Sequence, residues 1–165
     1  MNVWQLATLP AVGLATSLLD NYLFETVRPA VGSLVYCDIY LWEHSGIVIA
    51  DDAIVHLNGD GCIEVVSYAQ FLRRLEGWNN AMSIYASSVK NQEGEIYSVG
   101  SERAAERAIE MIGQRWDYHL WRNNCHRFSH YCLSGQNSDV TFFTELKLKA
   151  AKLLQANTWR VVERS

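Results

Sequence analysis

Between residues 32 and 67 the chain alternates short apolar runs with polar breaks. The runs 32–39 (GSLVYCDI), 45–50 (SGIVIA), 53–57 (AIVHL) and 62–67 (CIEVVS) are rich in Val and Ile. Asp51-Asp52 and Asn58-Gly59-Asp60-Gly61 separate the later ones, and such residues favour tight turns. The pattern predicts an antiparallel meander. Residues 68–76 (YAQFLRRLE) read as a short helix, with Ser67 and Gln70 spaced as a capping box. Residues 81–89 suit a further strand, and 90–94 a polar loop. The period then changes. After Ser101, the residues Ala104, Ala105, Ala108, Ile109, Met111 and Ile112 follow helical spacing, and Gly113 is a stop signal. A second helix is expected over 124–133, ended by Ser134-Gly135, and a third over 141–155. The last ten residues carry no clear pattern.

The apolar stretch 6–19 is shorter than the roughly 20 residues a membrane helix needs, and Pro10 and Gly13 interrupt it. It reads as a buried arm or short helix rather than a membrane-surface element. No repeat, linker or low-complexity tract divides the chain. One α+β domain over 1–165 is the expectation, with an N-terminal arm over 1–30.

Composition narrows the picture. The chain has 165 residues, 14 Lys+Arg against 18 Asp+Glu, and a formal net charge of −4. Nucleic-acid binders usually carry a basic excess, so no nucleic-acid partner is expected. Basic residues gather at the end, where Lys147, Lys149 and Lys152 lie on the expected last helix. That amphipathic helix fits either packing on the domain or a peripheral contact with an anionic membrane; packing is favoured. The Glu102, Glu106 and Glu110 series, interleaved with Arg103 and Arg107, is a solvated face with ion-pair spacing. The four Cys (37, 62, 125, 132) form no CxxC pair. No positively charged segment precedes the apolar stretch, so free thiols and a cytoplasmic location are expected.

Three polar residues stand out within this frame. His44 precedes the strand SGIVIA, His56 lies in AIVHL, and Cys125 follows Asn123-Asn124 at an expected helix start. A thiol at a helix N-terminus loses its proton more easily. An imidazole can serve it as base, and a further polar group can orient that imidazole. Free N–H groups of the first helical turn could receive an oxyanion. His126 and His130, four residues apart with Cys132 and His119 nearby, have the spacing of a metal pair. Without an HExxH glutamate or a Cys pair they read as surface or packing residues, so no metal and no cofactor are expected.

The run Glu43-His44-Ser45-Gly46-Ile47-Val48-Ile49, with His56 twelve residues after His44 in a VVHL-like strand, resembles the first box of the lecithin:retinol acyltransferase (LRAT) family. Gly32-Ser33-Leu34-Val35 resembles the family's opening strand. The helix through Ala105, Ile109 and Ile112 resembles the one leading to its nucleophile. Asn124-Cys125-His126-Arg127-Phe128 resembles its Asn-Cys-Glu-His-Phe box, with His126-Arg127 in place of Glu-His. The resemblance covers 31–135, leaving 136–165 as a C-terminal amphipathic helix and tail.

The resemblance implies a circularly permuted papain-like (NlpC-type) fold with base-bearing strands ahead of the nucleophile helix. Cys125 would be the nucleophile, His44 the general base and acid, and His56 the group that orients His44. The implied activity is a thiol acyltransferase or phospholipase A-like hydrolase using a Cys thioester and an acyl-ester lipid. A thiol amidase or peptidase with a peptide substrate, and a non-enzymatic interaction domain, remain as alternatives.

Overall fold

A computed structural model of the protein describes residues 25–39, 42–73, 83–117, 119 and 124–163. The apolar segment 6–19 lies outside the described residues, as do 74–80 and 81–82, the end of one expected helix and the start of one expected strand. Four strands follow one another: β1 (Leu34–Ile39), β2 (Trp42–Ala50), β3 (Ala53–Leu57) and β4 (Ile63–Val66). Helix α1 (Tyr68–Leu72) comes next, then β5 (Tyr85–Lys90) and β6 (Ile96–Ser98). Helices α2 (Glu102–Glu110), α3 (Cys125–Ser134) and α4 (Phe143–Leu154) precede the last strand, β7 (Thr158–Val161).

The first four strands pair as the meander predicts, each antiparallel to the next. They join a seven-stranded sheet of order β4-β3-β2-β1-β5-β6, with β7 on the other edge of β5. All the named pairings are antiparallel. The structure is therefore α+β. The expected Ser67–Gln70 capping box is present at α1.

Three differences from the sequence expectation have physical causes. β2 begins at Trp42, because backbone pairing with β1 continues through Cys37↔His44 to Ile39↔Trp42. His44 thus lies inside a strand rather than ahead of one. β6 and β7 are short and part-exposed, so they lack an apolar alternation to announce them; β5 pairs with both. The expected arm 1–30 ends in contact with the sheet, since Val27 bridges Val162.

Alternation along each strand divides the core in two. Leu34, Tyr36, Ile47, Val55 and Leu57 face α2, α3 and α4, meeting Ala104, Ala108, Phe128, Cys132, Leu146 and Ala150. Val35, Cys37, Val48 and Ile54 face the other way, toward Phe71 of α1 and toward Val27 and Val162. The packing reading of the last helix agrees with α4, which buries Phe143, Leu146, Ala150 and Leu154. Among the described residues no helix is long and apolar enough to cross a membrane.

Gly46 lies in β2 where Phe71 approaches. A Cβ there would stand 2.5 Å from Ile54 Cγ2, 2.9 Å from the Val55 carbonyl oxygen and 3.2 Å from Phe71 Cε2. The carbonyl belongs to the sheet and cannot withdraw cheaply. Gly46→Ala is therefore expected to destabilise the fold by about 1–3 kcal/mol, the usual cost of overpacking. Chemical denaturation of the two proteins measures this, and equal midpoints would contradict the packing account.

Candidate active site

The candidate residues lie on α3 and on the hairpins of the meander, but on two faces of the sheet. His44 and His56 stand beside Phe71, while Cys125 meets His126 on the helix-covered face. Asn124 is the N-cap of α3, in extended backbone conformation, and its side-chain Oδ1 accepts from the backbone N–H of His126 and of Arg127. Such a cap satisfies donors that the helix itself leaves open. Cys125 is consequently the first residue of α3 and is buried. Its sulfur sits near the positive end of the helix dipole, which favours a thiolate. The cap also corrects one expectation: two of the first-turn N–H groups are already taken by Asn124 and are not open to an oxyanion.

His44 and His56 come together as a pair. Nε2 of His44 and Nδ1 of His56 are 3.1 Å apart, and both residues are buried. The rings meet edge to face, with centroids 5.1 Å apart, and Phe71 borders them at 5.0 and 5.9 Å. Glu64 stands directly opposite His56 in the β3–β4 ladder. Its Oε1 is 3.4 Å from His56 Nε2 and accepts a 2.9 Å hydrogen bond from Asn58 Nδ2.

At 3.4 Å the Glu64 carboxylate attracts a proton on His56 Nε2 without making a hydrogen bond to it. If His56 carries its proton on Nε2, toward the carboxylate, its Nδ1 accepts. His44 Nε2–H then donates to it, and His44 Nδ1 keeps a lone pair. A base needs that lone pair.

The next residue along β2 points to the opposite side of the strand. Ser45 Oγ lies 3.0 Å from His126 Nδ1 and 3.0 Å from Ser129 Oγ on α3. The same His126 nitrogen is 3.7 Å from Cys125 Sγ. Burial alone would push the His126 ring toward neutrality. The charge on Cys125, its hydrogen bond and the Glu43 carboxylate outweigh that, and the His126 pKa stands above the ordinary histidine value. The surface reading of His126 is thereby corrected: it is buried, packed against the thiol and the Phe143 ring. His130 has a lowered pKa, through burial and the nearby Lys149 ammonium. Among the described residues no group of three or more His, Cys, Asp or Glu is placed to hold a metal ion.

Glu64, Ser45, Ser129 and Glu43 were not marked by their own sequence context. The hairpin register would have pointed to Glu64, because pairing Leu57 with Ile63 places it across from His56. Ser45 and Glu43 flank His44 and so share the face opposite to it. A cavity of about 620 Å³ lies along α3, lined by Trp116, Asp117, Arg127, Tyr131, Asn137 and Ser138. Cys125 is not part of that described lining, so the cavity's polarity does not separate a lipid from a peptide substrate.

Residues 27–138 match the family described as lecithin retinol acyltransferase. The match spans most of the chain, including β1–β6 and α3, and the chain belongs to this family. It is also similar to a human protein, phospholipase A and acyltransferase 2. The two are 27% identical over 140 residues, covering 78% of this chain and 86% of the human one. The family is one of lipid-modifying acyltransferases or hydrolases.

The four thiols differ in ways that alkylation can read. Cys37 and Cys132 have no exposed surface, and burial pushes the Cys132 thiol up to about 12. At pH 8 such a group is ionised in roughly one molecule in 10⁴. Limiting iodoacetamide on the native protein is expected to label Cys125 first and to leave Cys132 and Cys37 unlabelled. Cys62, half-buried beside the Arg115 guanidinium, is the competitor. Peptide mapping decides, and faster labelling of Cys62 or Cys132 would remove the argument for an activated Cys125.

Proposed function

We propose that the protein is a thiol-dependent phospholipid acyltransferase or hydrolase, working through a thioester on Cys125. One observation carries this reading. In a chain of the lecithin retinol acyltransferase family, the residue beginning α3 is a cysteine and the two meander histidines are hydrogen-bonded to each other. Similarity to a protein named phospholipase A and acyltransferase 2 favours a phospholipid as acyl donor.

The steps take the roles that the family resemblance implies for Cys125, His44 and His56. His44 takes the proton of Cys125, a step that requires groups on the two faces of β2 to come together, because the described geometry pairs His44 with His56 and Cys125 with His126. The sulfur attacks the ester carbonyl carbon. The bond between acyl carbon and glycerol oxygen breaks, and the leaving oxygen takes the proton from His44. A water or another acceptor then gives its proton to His44 and attacks the thioester, and the thiolate departs. His56 holds the His44 ring, and the Glu64 carboxylate, 3.4 Å from His56 Nε2, favours a proton on that nitrogen. The order of elements, strands with histidines before the cysteine helix, supports a circularly permuted papain-like architecture.

Incubation with a diacyl phospholipid, followed by intact mass, tests the reading. An adduct equal to one acyl group is expected on Cys125, absent from Cys125→Ala. His44→Ala is expected to lower turnover by about 10²–10⁴-fold, the usual contribution of a general base. His56→Gln should be milder, because an amide still bonds the ring, and Glu64→Gln milder again. These losses should not add, since the residues act as one unit. Cys125-dependent cleavage of a peptide with no acyl adduct would replace the lipid reading by an amidase. Unchanged activity in Cys125→Ala would remove both.

A further inference from the structure

His126 has no part in the steps above, yet its nitrogen is 3.7 Å from the reacting sulfur. We propose that His126 is a further catalytic residue, a protonated imidazole that stays beside Cys125 as the fixed cationic partner of its thiolate. This inference rests on the reading of Cys125 as the nucleophile.

The geometry gives the arrangement. Protonated His126 has an N–H at Nδ1, directed at Sγ and at Ser45 Oγ, which lies 3.0 Å away. Ser45 can then donate its own proton to Ser129 Oγ, also at 3.0 Å. With a neutral, Nε2-protonated ring the chain reverses: Ser129 donates to Ser45, and Ser45 donates to Nδ1. Two hydroxyls can turn, so neither charge state leaves a polar group stranded in this buried place.

The charges near His126 agree. On its own helix stand Cys125 and the uncharged Ser129; from β2 come Glu43 and Ser45; from α4 comes the Phe143 ring, with centroids 5.6 Å apart. Two anions, the thiolate and the Glu43 carboxylate, stand on this face with the one imidazolium of His126, while His44 lies on the other face of β2. The His126 proton comes from solvent and stays on the ring. The proton that moves in the reaction is the one carried by His44. An imidazolium at such a distance lowers a thiol's pKa. His126 raises the resting thiolate fraction, which His44 alone would leave smaller.

The test is the pH dependence of Cys125 alkylation by iodoacetamide, which needs no substrate. His126→Gln keeps a hydrogen-bonding amide near Ser45 but cannot hold a proton. Its alkylation midpoint is expected to rise by about one pH unit or more, making alkylation at pH 6 about tenfold slower or more. A merely structural role would leave the midpoint in place. A second measurement uses the wild-type fold: the His126 ring is titrated by NMR in the native protein and in Cys125→Ala. Its midpoint is expected to fall when the sulfur is removed, and to fall again in Glu43→Gln. Alkylation profiles of wild type and His126→Gln that superimpose overturn the inference. So does an unchanged His126 titration in Cys125→Ala, even if His126→Gln fails to fold. Either result leaves the thioester reading intact if the acyl adduct still forms. Activity persisting in Cys125→Ala overturns the inference together with the reading beneath it.

Discussion

The side chain of Asn124 ties helix α3 to the rest of the molecule. Its carbonyl oxygen accepts from two N–H groups of α3, and its amide donates a 2.8 Å bond to the Thr141 carbonyl. The first interaction decides which residue begins the helix. The second anchors that beginning to the segment just before α4. Cys125 and His126 inherit their places from these bonds. An N-cap of this type stabilises a helix by about 1 kcal/mol. Here its larger consequence is positional, because a helix that started one residue later would turn the thiol through about 100°.

β2 complements this anchor. Regular pairing with β1 through residues 42–47 keeps its alternation intact, so His44 faces one way and Glu43 and Ser45 the other. One strand thereby supplies His44 on one face and the polar groups around His126 on the other. Gly46, placed between them, leaves room for Phe71 to lie against both histidine rings. The apolar ring limits water around a pair whose hydrogen bond is strengthened by its absence.

The legibility of these features in the sequence follows from their physical range. The meander, α2, α3 and α4 were readable because each carries a period that burial imposes on it. Cys125, His44 and His56 were singled out through their resemblance to the family's boxes, each being a weak signal alone. β6 and β7 were not, since their stability comes from pairing with β5 rather than from their own side chains. Glu64 and Ser45 were missed because each is ordinary alone and acquires meaning only across a ladder or a helix contact. His126 was misjudged for the same reason. Its neighbour in sequence suggested nothing, while Ser45, 81 positions away in the chain, places it.

The family match ends at residue 138, but the apolar core does not. Val140, Phe143, Leu146, Ala150, Leu154 and Ala156 fill the same cluster as Ile47, Val55 and Phe128. β7 then covers an edge of β5, and Val162 closes onto Val27 at the start of the matched segment. What is shared with relatives and what folds together are thus different lengths of chain. The shared part holds Cys125 and the two histidines, while the stretch beyond it completes the core beneath them. Change in that C-terminal stretch can therefore reach the candidate site as altered stability, without touching any of its residues.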